Sequence, residues 1–316
     1  METRRIATRC EPWLLGIGAE APGRRNMPRI AGLALAALMV LGFAVPAAAG
    51  ENSKHDRDNS TLFATGAAAT GNHRVLLAID VERGTTTVIG PASPGSLASG
   101  SLALAITPDG TAAYTIAKSF NPAAAQLAKI DLATGAQTLV GNPIGADLKI
   151  MGMTFSPDGV LYAAGDYTFG PPESPTFNSL YTIDLKTGSP TRVGSLGTGP
   201  NGTDFIMSFA VDSHGNMYGA SMMALYRIHL PRTTDARGGE AQSQEAGQGH
   251  EALATKVVGF IGSSQVMGIA IGEDGSFYAA DYVPASKIYG LDVETGFLKP
   301  LFTSTALVHN IAFSPE

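Results

Sequence analysis

Four residues of this 316-residue sequence stand out because they recur at one place in a repeated phrase. Met151, Met207 and Met267 open the runs "MGMTFSPDG", "MSFAVDSHG" and "MGIAIGEDG", and His309 takes the same place in "HNIAFSPE". Three thioethers and an imidazole brought to one point would make a soft metal site, suited to copper(I). The competing reading is core extension. The runs continue as Met153, Phe209, Ile269 and Ile311, with Leu102 and Leu104 in the matching places, and methionine readily fills irregular core gaps.

A second set lies in the segments joining the phrases. Asp166, Tyr167, Asp204, Asp281, Tyr282, His309 and Asn310 are expected to collect on one face as a ligand site, beside Asp147, Lys149, Gln265, Lys118 and Asn121. Gathered carboxylates would take a divalent cation or a basic ligand. Solvated rim charge is the plainer outcome, because loops are polar by default. A calcium cage needs about six or more oxygen donors. The strand positions beside the Met/His series offer Ala103, Gly152, Ser208 and Gly268, which weakens a metal-dependent hydrolase. The sequence has no Cys-x-x-Cys-His, Gly-x-Ser-x-Gly, His-Glu-x-x-His or Walker loop, so no catalytic residue and no cofactor is assigned.

What must position these residues is a repeat. One phrase is an apolar strand, a turn of the Pro-Asp-Gly kind and a second strand carrying an aromatic. The other is a strand ending in Asp, then x-x-Thr-Gly, then a Thr/Val-rich strand, as in "LAKIDLATGAQTLVG" and "LYTIDLKTGSPTRVG". Asp caps such a turn with its side chain and Gly supplies the left-handed position. The turn glycines Gly110, Gly159, Gly215 and Gly275 lie 49, 56 and 60 residues apart. Four-stranded units of this size make an all-β propeller, and no useful helical periodicity intervenes. The end "VHNIAFSPE" is an inner strand without its turn, and "NSTLFATG" supplies the missing second strand. Joining them closes a ring of five blades, with 61–316 as one domain.

"SPDGVLYAA" followed by "LYTIDLKTGSPTRVG" resembles the repeat of the YVTN and lactonase-like β-propellers, a superfamily that includes quinoprotein-dehydrogenase-like propellers. The resemblance covers nearly the whole chain after the leader and implies the fold. It does not imply one function, because its motif consists of turn and strand residues.

Arg24, Arg25 and Arg29 precede the apolar run Ile30–Val45, and Ala47-x-Ala49 follows. This reads as an export signal over 1–49, with Met27 an alternative start and 50–60 a flexible stretch. The run is short for a bilayer span of about 20 residues. Removing six Arg and three acids from a net charge of −6 leaves about −9, a poor surface for nucleic acid. The only cysteine, Cys10, leaves with the signal. In the fourth repeat His229 replaces the turn Asp, and about 233–254 is a Gly/Gln/Glu/Ala-rich insertion expected to be disordered. The expectation is an exported, periplasmic or extracellular monomer that binds a small molecule or protein, with no membrane span after cleavage. Its rivals are a lactonase-like hydrolase and a copper-handling protein.

Overall fold

Asp131, Asp184 and Asp292 each accept, through Oδ1, two backbone N–H groups from the residues that follow, at 2.7–3.1 Å. The glycines closing these turns, Gly135, Gly188 and Gly296, have φ of 70°, 71° and 78°. The Pro-Asp-Gly turns use Gly110, Gly159, Gly215 and Gly275 in the same left-handed region. Each turn residue is thus chosen by backbone geometry, and each turn reverses the chain into an antiparallel pair.

The structure is a computed structural model and describes residues 61–67, 74–90, 103–118, 121–145, 148–165, 178–197, 204–230 and 253–314. Residues 1–49, read above as an export signal, the 50–60 stretch, Asp147, Asp166, Tyr167 and residues 233–252 of the insertion lie outside them. Strands β1 (Leu62–Ala67), β2 (Arg74–Asp80) and β3 (Thr85–Gly90) come first. Blade I holds β4 (Ala105–Ile106), β5 (Ala113–Ala117), β6 (Gln126–Ile130) and β7 (Gln137–Pro143). Blade II holds β8 (Gly152–Phe155), β9 (Leu161–Gly165), β10 (Ser179–Ile183) and β11 (Pro190–Ser195). Blade III holds β12 (Ser208–Val211), β13 (Met217–Ala220), β14 (Ala224–Ile228) and β15 (Ala254–Gly259). Blade IV holds β16 (Val266–Ile271), β17 (Phe277–Asp281), β18 (Lys287–Leu291) and β19 (Leu298–Thr303).

The last strand, β20 (Leu307–Phe313), pairs antiparallel with β1, so blade V runs β20-β1-β2-β3. Leu62 faces Phe313, Phe63 faces Ala312 and Ala64 faces Ile311. The five innermost strands touch in the cyclic order β20, β4, β8, β12, β16 and back to β20. The chain is therefore a closed five-bladed β-propeller. Closure by the first and last strands is as the two incomplete sequence phrases require. Among the described residues the helical content is one 3₁₀ turn, Pro122–Ala124, and no helix is long and apolar enough to cross a membrane.

The core is five wedges, one between each pair of neighbouring blades. Each inner strand sends a large side chain back onto a small one of the preceding blade. Met153 shares a cluster with Ala105, Ile269 with Ala210, Ile311 with Ala270 and Leu104 with Ala312. Phe209 fills the same role between blades II and III. Burying one such side chain contributes roughly 1.5–3 kcal/mol, so the wedges are what hold the blades together.

Towards the rim, the Asp-x-x-Thr-Gly turn of one blade docks on the outer strand of the blade before it. Asn142 N–H donates to Thr187 O at 3.1 Å, and Ile261 N–H donates to Gly296 O at 2.8 Å. Blade III lacks that turn. There Leu253 packs on Gly194 and donates its N–H to Ser195 O at 2.9 Å. Leu253 and Ala254, expected to fall in the disordered insertion, belong instead to the ordered blade because they fill this docking position.

Two glycines separate turn strain from axial crowding. Gly159 has φ of 83° with open space around it, whereas a Cβ on Gly152 would lie 2.7 Å from Met207 O and 2.8 Å from Ser208 Cα. Gly159→Ala should cost about 1 kcal/mol, from the left-handed backbone alone. Gly152→Ala should cost about 3 kcal/mol, because two backbones must separate. Urea unfolding of both variants gives the order, and equal costs would refute close packing of the inner strands.

Candidate functional site

The Met/His series sits on a shared irregularity. On β16 and β20, Met267 and His309 are the extra residues of β-bulges, since Val266 and Gly268 face the consecutive residues Asp281 and Ala280, and Val308 and Asn310 face Gly66 and Thr65. Blades II and III have the same two-against-one arrangement. Met151 N–H donates to Ala164 O at 3.1 Å while Gly152 faces Ala164, and Met207 N–H donates to Ala220 O at 2.8 Å while Ser208 faces Ala220. A bulge re-aims the side chain it carries and bends its strand. Four blades thus aim the same residue from the same position.

Met151, Met207 and Met267 form one buried cluster, with Phe205, Met222 and Tyr282 packed against it. His309 is 2% exposed and meets Tyr282 edge to face, with ring centroids 5.0 Å apart. Below them Asn310, fully buried, reaches across the axis. Its Oδ1 accepts a hydrogen bond from Ser208 Oγ at 3.0 Å, and Nδ2 lies 3.3 Å from Met207 O and 3.5 Å from Met151 O. Ser208 Oγ in turn accepts Ile269 N–H at 3.0 Å. One amide therefore links, directly and through Ser208, residues of four blades near the axis.

The other predicted ligand residues are placed as follows. Asp281, 4% exposed, accepts Lys287 N–H at 2.7 Å and Tyr289 O–H at 2.7 Å. Asp204 accepts Tyr226 O–H at 2.8 Å. Both carboxylates thus have partners in their own blade. Lys149 is half-buried, and desolvation lowers its pKa. Gln265 is exposed and fixes Tyr282 by accepting its N–H at 2.9 Å. Asp166 and Tyr167 lie outside the described residues. Among the described residues, no three His, Cys, Asp or Glu side chains gather to hold a metal.

Two contributors escaped the sequence reading. Met222 comes from the tight β13–β14 turn, where the doublet in "ASMMAL" was the available signal. Asn178, 4% exposed with φ of 48°, accepts Ile206 N–H at 2.9 Å and donates to the Gly197 and Asp204 carbonyls. It ties down the connection that leads into Phe205 and Met207.

The opposite end of the axis is open. A cavity of about 500 Å³ is lined by equivalent stretches of all five inner strands, among them Ile106, Thr154, Phe209, Ile271 and Phe313. Its rim carries Thr107, Ser156, Ser213, Asp212 and Glu273, and no described lining residue is Lys, Arg or His. Asp212 holds its turn by accepting the N–H groups of His214 at 2.9 Å and Asn216 at 2.8 Å. The cavity thus lies at the end away from Asp204, Asp281 and His309. It opens where each inner strand has run into its tight turn.

No protein-family model and no curated protein matches the sequence. Among solved structures the chain is similar to a chain of the nidogen/laminin complex, at 11% identity over 81% of this chain and 98% of that one, with a TM-score of 0.45. It is also similar to a protein of unknown function from Bacteroides caccae (11% identity, 81% and 99% covered, TM-score 0.43). A third is the PQQ-bound aldose sugar dehydrogenase of Streptomyces coelicolor (15% identity, 81% and 89% covered, TM-score 0.42). At these identities the likeness concerns the fold alone.

The Asp–Tyr pairs make a testable pH statement. Burial first, then the hydrogen bond to Asp281 or Asp204, raises the pKa of Tyr289 and Tyr226 above the ordinary 10.0. A folded pKa above the unfolded one gives stability that is complete below about pH 10 and is lost as pH rises towards the folded value. Phenolate absorbance of the folded chain should therefore lack these two tyrosines until unfolding. Tyr289→Phe and Tyr226→Phe should each make the alkaline loss of stability shallower. An unchanged pH slope in both variants would refute the assignment.

Proposed function

We propose that this chain is an exported binding propeller, and that it takes a small neutral or cationic amphiphile in the axial cavity. One observation carries the reading: a concave space of about 500 Å³, apolar in its walls and ringed by hydroxyls and carboxylates, at the end of the axis away from the Met/His series. Binding sites of this kind are mostly apolar, with a few polar groups that fix orientation. The lack of a basic residue among the described lining residues, which include Asp212 and Glu273, disfavours anions. Export is supported by the Arg24–Ala49 pattern, and a monomer by a ring whose inner and second strands all have partners.

The neutral fluorophore N-phenyl-1-naphthylamine should bind the full chain saturably at one site. The anionic anilinonaphthalene sulfonate, of like size, should bind at least about tenfold more weakly by the charge argument. Thr154→Trp, which places an indole in the cavity, should abolish the saturable signal while leaving the unfolding midpoint within a few degrees. Saturable binding that persists in Thr154→Trp would put the ligand elsewhere, and equal affinity for the two probes would refute the electrostatic preference.

A further inference from the structure

We propose that the Met/His end of the axis is a metal site, in which Met151, Met207, Met267 and His309 bind copper(I). The site is independent of the cavity at the other end. Its four donors come from four blades, each at the same β-bulge position, so the backbone delivers them to one place as a set. The three methionine side chains form one buried cluster with Tyr282 packed against it, and Tyr282 meets His309 edge to face.

Composition separates this cluster from the core proper. The five inter-blade wedges are built on Leu, Ile, Ala and aromatics, with Met153 and Met217 as their buried methionines. In this cluster all three buried members are methionine, and half-buried Met222 packs against them. The wedges meet the same apolar demand mainly with Leu, Ile, Val and Ala, so three methionines together set this position apart. Thioether and imidazole donors prefer a soft cation, whereas calcium and magnesium demand oxygen. Every carboxylate nearby with a described partner is turned to its own blade, Asp204 to Tyr226 and Asp281 to Tyr289. Met222 and Tyr282, both half-buried, are the members of the cluster's surround that reach solvent together with Phe205.

The test is anaerobic competition of the full chain against bicinchoninate for copper(I). Silver(I) serves as a redox-inert stand-in, read by NMR of ¹³C-methyl methionine. One equivalent should bind with a dissociation constant below about 1 μM. On silver addition the Met151, Met207 and Met267 methyls should move, out of the ten methionines of the chain. Replacing those three by leucine conserves volume, so the unfolding midpoint should hold, while copper affinity falls at least about a hundredfold. His309→Gln should cost about tenfold and remove the nitrogen scatterer from the copper X-ray absorption spectrum. If a variant fails to fold, the wild-type methyl shifts still decide. Undiminished binding by the triple leucine variant, or silver shifts confined to other methionines, overturns the site.

Discussion

A single side-chain amide stands on the axis of this molecule. Asn310 is fully buried, and its hydrogen bonds run to Ser208 and towards the carbonyls of Met207 and Met151, while Ser208 carries the link on to Ile269. A buried amide left unpartnered costs about 1–3 kcal/mol, so the strands must be close and in register for it to be tolerated. Gly152 and Gly268 make that approach feasible: a Cβ on either would press on the neighbouring strand's backbone. The amide and the glycines therefore specify each other. Apolar wedges supply most of the stabilisation, but they would tolerate sliding. A directional bond at the centre does not.

The two ends of the axis differ. Inner strands that meet at their beginnings diverge towards their tight turns, and the divergence leaves the cavity. The large-onto-small packing of Met153, Ile269, Ile311 and Leu104 gives the ring one rotational sense, each blade seated on the one before. Both candidate sites thus lie on one axis, at opposite ends of the inner strands.

The blades were readable because their signals are local. An Asp side chain caps the two N–H groups that follow it and Gly takes the left-handed turn whether or not the rest of the ring exists, so "IDLATG" and "SPDG" announce hairpins by themselves. Closure was also readable, because "HNIAFSPE" lacks a turn and "TLFATG" lacks the strand before it. The Met/His positions could be aligned on the turn glycines, but their aim could not be predicted. A bulge resets the two-residue alternation, and nothing in "VMGIA" says that Met267 is the extra residue. Met222 and Asn178 were missed for a related reason: each acts on a segment brought near only by superposing blades. The roles of Asp204 and Asp281 depended on Tyr226 and Tyr289 in another strand of the same blade, a pairing that strand spacing leaves undetermined.

The seam between β1 and β20 has a kinetic meaning. Leu62 and Phe313 face each other across about 250 residues of chain, so this contact pays the largest loop-closure entropy of any ladder in the ring. Long-range antiparallel pairing of that kind is slow to form. The other blades assemble from consecutive hairpins, and the seam acts as a latch that forms last. Once it is shut, every inner strand is paired to the second strand of its blade. A fluctuation that frees β1 exposes β20 and β2 together and turns the ring into an open arc with two sticky borders. The working lifetime of the folded protein is therefore set less by its total burial than by how rarely that one latch lifts.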